Sequence, residues 1–506
     1  MNNMKPWCYL TVFVVALFLI ALSGSISLLH AAENDGGPKA TASDKVQTLK
    51  PKDAGYRGIW YTLGQYTSDL QRKKYRHTRF WKYGDKNCGG LGTGFVKHVP
   101  IAVYAPEVKK TFFCYGGSKN GETHLYNMVS YYDHEKDRVP RPTILHDKQT
   151  VDDPHDDSAL AIDERGHIWV YVAGRARKRP GFVYKSVKPY DIDRFELISE
   201  EEMCYPQPFP IQGKGTFEFF TQYKKITKHS NRRELFWRFR NLDGTCSDGH
   251  ELSKMEKDGQ YQTSFAKDGR VITMFNRHPN GIVDKRTDLY YLETRDLGHS
   301  WQTADGVTVK TPLTKIDNPA RVKAYSKENR MVYLNSITLD NDGNPVALIV
   351  TSSDHRPGPQ GDPRTWEVLH HKRGKWNIHQ VTHSTNNYDT GPIWVDSDGT
   401  WRIIGPTEPG PQRWGPGGEI AVWTSKDEGK TWTKKRQVTS DSLRNNTYVR
   451  KVFGAEPDSP FFALWADGNS DEKSASHLYF TNREGTIVRE LPYDMEGDFA
   501  TPEVVN

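Results

Sequence analysis

The sequence predicts an all-β protein, a seven-bladed β-propeller. Three observations carry that expectation: a composition rich in strand and turn formers, one turn-plus-strand pattern that recurs along the chain, and an eight-residue turn written twice. Of 506 residues, 36% are hydrophobic and 12% aromatic, with 25 Tyr, 14 Trp, 42 Gly and 29 Pro. Aromatic side chains favour strands, and Gly and Pro punctuate turns. A mean hydropathy of −0.74 suits a β-rich protein with many exposed loops better than a helical bundle.

The recurring pattern is a Gly-bearing turn, often Asp-x-Gly, followed by an alternating strand of aromatic and β-branched residues. It occurs at 163–174, 213–223, 267–276, 340–352, 397–406 and 456–468, with a matching strand upstream at 109–117. These seven elements lie mostly roughly 50–60 residues apart, which leaves room for about four strands in each unit. The near absence of apolar stripes at a 3.6-residue period excludes a helical solenoid.

The duplicated turn reads "SKDEGKTW" at 425–432 and "TRDLGHSW" at 294–301. In Ser/Thr-x-Asp-x-Gly-x-x-Trp the carboxylate can accept backbone N–H groups of the turn, the Gly permits a positive φ, and the Trp plugs between sheets. Such Asp boxes belong in outer hairpins of blades and speak for architecture rather than catalysis. Degenerate versions are expected at 241–249 and 372–376.

The N-terminus has a Lys ahead of an apolar run from Tyr9 to Leu22, then small residues up to Ala32. This is the pattern of a secretory signal peptide. The expected organisation is a signal peptide over 1–32, a flexible lead-in over 33–54 and a single propeller domain over 55–506. The protein is expected to be secreted or periplasmic and free of the membrane after cleavage. Loss of Cys8 with the signal leaves Cys88, Cys114, Cys204 and Cys246. They could form disulfides in an oxidising compartment or remain buried thiols. Net charge is +6, from 69 basic and 63 acidic residues spread along the chain. That balance does not imply nucleic acid and is compatible with an anionic substrate held by local Lys and Arg.

P-loop, GxGxxG, HExxH and GxSxG signatures are missing. Two stretches are richer in chemistry. In "CGGLGTGFVKHVP" (88–100) glycines deliver Lys97 and His98 just before an apolar strand. In "DDPHDDSALAIDERGHIWVYVAGRARKRPG" (152–181) His155 lies among four acids, and the stretch runs out into Arg175 and further cations. The acids around His155 could instead hold a metal, calcium by preference for oxygen ligands, although the spacing fits no named loop.

The segments "GYRGIWY" (55–61), 89–117, 153–174, "CYPQPF" (204–209), 287–301, "NNYDTG" (386–391), "GPQRWGPGGE" (410–419) and "TYVRKV" (447–452) resemble the BNR-repeat (BNR-4 type) family of secreted bacterial proteins. The resemblance covers essentially the whole mature chain. It implies a seven-bladed propeller and an activity like that of ulvan lyases or of enzymes that cleave L-rhamnosyl-α-1,4-glucuronate. It also implies roles. His98 resembles the catalytic histidine of the rhamnosyl-glucuronate branch, where Lys97 departs from the usual Gln. His155 resembles the first catalytic histidine of the ulvan-lyase branch, Arg175 stands where that branch has a second histidine, and Tyr205 matches its tyrosine. Lys224 stands for the arginine that follows.

The expected chemistry is β-elimination at a uronate in an acidic polysaccharide or oligosaccharide. Arg175, Lys224 and Lys97 would neutralise charge, His98 or His155 would act as base and Tyr205 as acid, with no cofactor required and a structural calcium as an option. Arg277, His278, Tyr388, Arg413, Trp414, Tyr448 and Arg450 are candidate binding groups, each with an alternative as an inter-blade ion pair or plug. The alternatives in function are hydrolysis of the same linkage, a non-catalytic glycan-binding propeller, and a sialidase-like hydrolase, for which Arg57 lacks the expected Arg-Ile-Pro context.

Overall fold

The computed structural model describes residues 47–62, 82–119, 124–176, 179–227 and 230–505. The expected signal peptide and Cys8 lie outside the described residues. The fold is all-β. Among the described residues its strands form seven successive antiparallel four-stranded meanders, each running outward in chain order. Their innermost strands are Ala102–Ala105, Ser158–Ile162, Cys204–Ile211, Gly259–Lys267, Met331–Leu339, Ile393–Val395 and Asn445–Phe453. The last and first meanders join by parallel pairing of Val452 with Ala102 and of Phe453 with Val103. Next to this seam, Tyr56 N–H donates to Pro492 O and Gly58 N–H to Ser476 O, both at 2.9 Å, so the two ends of the fold are tied to each other.

The recurrent sequence pattern marks the second strand of each meander. Lys110–Gly117, Ile168–Val172, Gly215–Thr227, Arg270–His278, Pro345–Ser352, Trp401–Glu408 and Ala463–Gly468 coincide with the seven elements read from sequence. The physical reason is burial on both faces. Ile168–Val172 and Pro345–Ser352 are buried at every position, because each sheet packs against a neighbour on either side. One shared core joins Phe217, Phe219 and Trp237 of the third meander to Phe275, Tyr290 and Trp301 of the fourth. Another joins Ile272, Met274 and Leu289 of the fourth to Val332, Leu334 and Ile349 of the fifth. Outer strands lose this constraint, and Thr433–Gln437 is exposed throughout.

The duplicated turns lie between the third and fourth strands or bridges of their meanders, at the outer side. Asp427 Oδ1 accepts from Thr431 N–H at 2.9 Å and from Ser425 Oγ–H at 2.7 Å. Asp296 Oδ1 accepts from Ser300 N–H at 2.9 Å and from Thr294 Oγ1–H at 2.8 Å. Gly429 and Gly298 take φ of 79° and 90°, a region open to glycine at little cost. Burial opposes the charge on Asp427, but bonds from Thr431, Ser425 and Lys430 draw its pKa down to about 2.

Within the expected lead-in, residues 47–54 are structured, while residues 33–46 lie outside the described residues. Gln47–Leu49 pairs with Arg194–Glu201 as a fifth strand of the second sheet, and Asp53 N–H donates to Pro142 O at 2.9 Å. Polar composition hid this strand, which lies at a sheet edge and buries little. Cys88, Cys114, Cys204 and Cys246 are all free thiols, the first three buried.

Trp301 is buried against Phe217, Phe219 and Trp237, whereas Trp432 is only half-buried. Trp301→Ala is therefore expected to cost about 3–5 kcal/mol in urea unfolding, and Trp432→Ala clearly less. Equal losses would contradict the packing described.

Candidate active site

Each inner strand begins at the same cleft. The first contributes the loop before it, with Phe95, Val96 and Lys97, and the second contributes His155 from the turn before it. The next five each contribute a tyrosine: Tyr205, Tyr261, Tyr333 and Tyr448 within the first four residues of the strand, and Tyr388 from the loop before it. The cleft encloses ≈ 700 Å³ including its open mouth, within the roughly 300–1,000 Å³ usual for small-ligand sites.

Local irregularities aim two of these tyrosines. Register shifts interrupt the inner strands between Cys204 and Gln207 and between Thr447 and Arg450. Tyr205 and Tyr448 sit within them at φ of 52° and 49°. A bulky residue with positive φ is uncommon and is held there by its surroundings. A bulge re-aims the side chain that a regular pleat would place elsewhere.

His155 is held by Asp153. Its Nδ1–H donates to Asp153 Oδ1, which also accepts the His155 backbone N–H at 3.1 Å. Arg175 and Arg179 bind the other carboxylate oxygen at 2.5 and 2.9 Å, and Arg179 reaches Asp156 at 2.8 Å. The acidic cluster read as a possible metal site is thus engaged with cations. Among the described residues no group of three or more His, Cys, Asp or Glu is arranged to hold a metal ion. Burial opposes the charge on Asp153, but His155, Arg175 and Arg179 hold its carboxyl well below the usual range. With Nδ1–H bonded to the carboxylate, Nε2 carries the ring's lone pair. Burial lowers the His155 pKa to about 4, with Asp153 acting against it and Arg175 adding to it. The ring stacks on Phe95 at 4.0 Å and meets Tyr205 edge-on at 6.2 Å.

Tyr205 Oη lies 3.1 Å from Tyr261 Oη. Burial, reinforced by Tyr261 and Tyr223, pushes the Tyr205 hydroxyl well above its ordinary pKa, so it holds its proton.

Two arginines that the sequence reading missed give the cleft its charge. Arg286 donates to Tyr388 Oη at 2.9 Å and to Val283 O at 3.1 Å, and lies over the rings of Tyr261, Tyr333 and Tyr388. Arg233 donates to Tyr223 Oη at 3.1 Å. Neither forms an ion pair among the described residues. Lys86 also lines the cleft, and its ion pair is with Asp284. Arg233 sits in "SNRRELFW", where Asn231, Arg232 and Glu234 are polar as well, so local composition did not single it out. Arg286 lies in a loop and left no periodic signal.

Of the predicted residues, the structure brings His155, Arg175, Tyr205, Lys97, Tyr388 and Tyr448 to the cleft. Lys97 arrives buried, with its ammonium donating to Leu334 O at 2.9 Å, and burial holds its pKa well below the usual value. His98 does not line the cleft. It is fully buried behind it, with Nδ1 accepting from Phe95 N–H at 3.3 Å and its ring 5.5 Å from Tyr205. Arg450 is an internal clamp, donating to Thr93 O at 2.7 Å, to Phe95 O at 3.1 Å and to His98 O.

Lys224 points away, donating to Gln222 Oε1 at 2.9 Å. Arg233, on the paired strand, puts the guanidinium in the cleft instead. Arg277 is consumed by Asp258 and Asp288, both at 2.7 Å. His278 is buried behind Tyr261 at 4.6 Å. Arg413 is exposed and lies over Trp414, whose ring packs on Tyr83 at 5.6 Å. Neither lines the cleft.

The model of the BNR repeat-containing family matches residues 110–384. The chain belongs to this family. No curated protein sequence matches it. Among solved structures it is similar to a polysaccharide lyase PL25 ulvan lyase, with TM-score 0.63 and 17% identity over 80% of this chain and 96% of that one. That lyase has also been solved bound to -[GlcA(1-4)Rha3S]- with the same values. The polysaccharide lyase Uly1 is similar at TM-score 0.56 and 13% identity, over 87% of this chain and 99% of that one. At these identities the likeness establishes the fold.

The folded His155 pKa of about 4 lies below the unfolded value of about 6.5. The folded state therefore binds fewer protons in this window, and stability is full above about pH 6.5 and declines as pH falls toward 4. His155→Gln is expected to flatten that decline in urea unfolding measured across this pH range. In NMR the imidazole should titrate near pH 4, and titration near 6.5 in the folded protein would contradict the site.

Proposed function

We propose that this protein is a secreted or periplasmic seven-bladed propeller enzyme that cleaves a rhamnose–uronate linkage in an acidic polysaccharide by β-elimination. The observation that carries the reading is the joining of a neutral, carboxylate-held histidine and a protonated tyrosine with two guanidiniums, Arg233 and Arg286, that form no ion pair among the described residues. The seven meanders and the seam between the last and the first support the propeller.

Removing the C5 proton beside a uronate carboxylate builds negative charge on that carboxylate. Fixed cations in a water-poor cleft stabilise such charge well. Arg233 and Arg286 would take the carboxylate, assisted by Arg175. His155 Nε2 would accept the C5 proton. The electrons of that bond form the C4–C5 double bond as the C4–O bond breaks, and the departing oxygen takes the Tyr205 hydroxyl proton. His98 acts behind the site, by holding the loop that carries Phe95.

The composition of the cleft favours elimination over hydrolysis. Glycosidases commonly use two carboxyl groups across the scissile bond. No Asp or Glu is among the described residues that line this cleft. The same absence speaks against a sialidase-like Tyr/Glu pair.

The test is incubation with ulvan and with rhamnosyl-glucuronate oligosaccharides, following the ultraviolet absorbance of unsaturated uronate alongside product size. His155→Ala and Tyr205→Phe should each lower kcat by about 10²–10⁴-fold, while Arg286→Ala should act on KM as well. Shorter products without new absorbance would replace the lyase by a hydrolase. Binding without turnover, unchanged in His155→Ala, would leave a glycan-binding module.

A further inference from the structure

A second, smaller cavity lies behind the cleft, in the space between the inner strands. Val96 lines both cavities. The lower one is bounded by the residues just before the first inner strand, by the fourth, fifth and seventh inner strands and by Pro392, just before the sixth. Three features of its wall belong together. Arg450 and Lys451, adjacent on the seventh inner strand, both line it. Neither forms an ion pair among the described residues. Arg450 donates only to carbonyls of the loop below Phe95, and Lys451 Nζ donates to Ile393 O at 3.2 Å. Third, Asn335 lines the same cavity at 1% exposure, and neither its Nδ2 nor its Oδ1 has a hydrogen-bond partner. The hydroxyl-bearing Thr263 and Ser336 complete the polar part of the wall.

Buried charges are normally paired, and buried amides normally bonded. Burial lowers the pKa of Arg450 to about 10 and of Lys451 to about 8, and Lys451 lies over the rings of Phe265 and Trp394. Water could satisfy the amide, but it would leave the charge that remains on both groups without an ion-pair partner among the described residues. The carboxylates that act on them from a distance are Asp157 on Arg450 and Asp396 on Lys451. Asp157 is a weak counterion, because burial pushes its own carboxyl well toward the neutral form. The cavity is small, and the residues that line it carry an ammonium, a guanidinium already bonded to three carbonyls, a side-chain amide and hydroxyls.

We infer that this cavity is a binding site for a small monovalent anion of halide size, held between Lys451 and the Asn335 amide. The site is distinct from the substrate cleft and does not depend on the reaction proposed for it. Its occupant would act on the cleft through Arg450, whose guanidinium fixes the carbonyls of Thr93, Phe95 and His98. Phe95 in turn carries the His155 ring. Anion binding would therefore stiffen the floor of the cleft without touching substrate.

The experiment is a crystal grown in sodium bromide, read by anomalous scattering, together with thermal unfolding in bromide and in gluconate at equal ionic strength. An anomalous peak between Lys451 Nζ and Asn335 Nδ2 is expected, with a saturable rise in the unfolding midpoint in bromide alone. Lys451→Met and Asn335→Leu should each remove the peak and the rise. Density for water without an anomalous signal would overturn the inference. So would equal responses to the two salts, or a bromide response that survives both substitutions.

Discussion

The structure depends on one constraint: nearly every sheet is apolar on both faces and must find a neighbour on each side. A single four-stranded meander cannot bury Pro345–Ser352, in which every residue is buried. It can do so only between the cores shared with the meanders before and after it. That demand passes along the chain until the last inner strand pairs with the first through Val452 and Ala102. The N-terminal residues 54–60 and the C-terminal stretch then lock across this seam. Burial of apolar area at roughly 25 cal/mol per Å² makes the arrangement cumulative. Each interface is secured by large aromatic plugs such as Trp301, Trp366 and Trp465.

The same arrangement gathers the chemistry. Inner strands that start at one end bring side chains from all seven meanders to one cleft, although they are separated in sequence by hundreds of positions. Within it, the balance of charge is set by what is paired and what is not. Asp153 is saturated by His155, Arg175 and Arg179, so it orients the imidazole and contributes little net negative charge. Arg233 and Arg286 are surrounded by phenol rings, which hold them in place without neutralising them. A cation kept in such a cleft without a counterion among the described residues favours an anionic ligand. That is the physical basis for reading a uronate there.

The histidines show how sequence and structure divide the work. His98 and His155 looked comparable in sequence, each ahead of a strand, the first beside Lys97 and the second among acids in a stretch that runs out into cations. In the structure, one ring is behind the cleft with its Nδ1 turned onto its own loop, and the other lines the cleft with its Nδ1 on a carboxylate. The difference comes from whether the backbone turns the side chain inward or outward at the strand start, and local composition does not encode that. Lys224 and Arg233 make the same point. They lie on paired strands one register step apart, and strand alternation places only one of them in the cleft.

What the sequence determined by itself was the all-β class, the recurrence of one turn-plus-strand pattern and the two aspartate turns with their tryptophans. Those features are local: alternation of side chains, turn residues and doubly buried second strands write themselves into consecutive positions. The inner strands were harder to read, because they are short, partly polar and interrupted by bulges at Tyr205 and Tyr448. The identity of the cleft residues was decided only by the tertiary structure. Arg286 and Tyr261 carry no motif of their own, and Arg277 and Arg450 resemble ligand-binding cations until their carboxylates and carbonyls are seen. Whether a cation is free for a ligand depends on which distant partners the fold brings to it, and that information exists only once the sheets have packed.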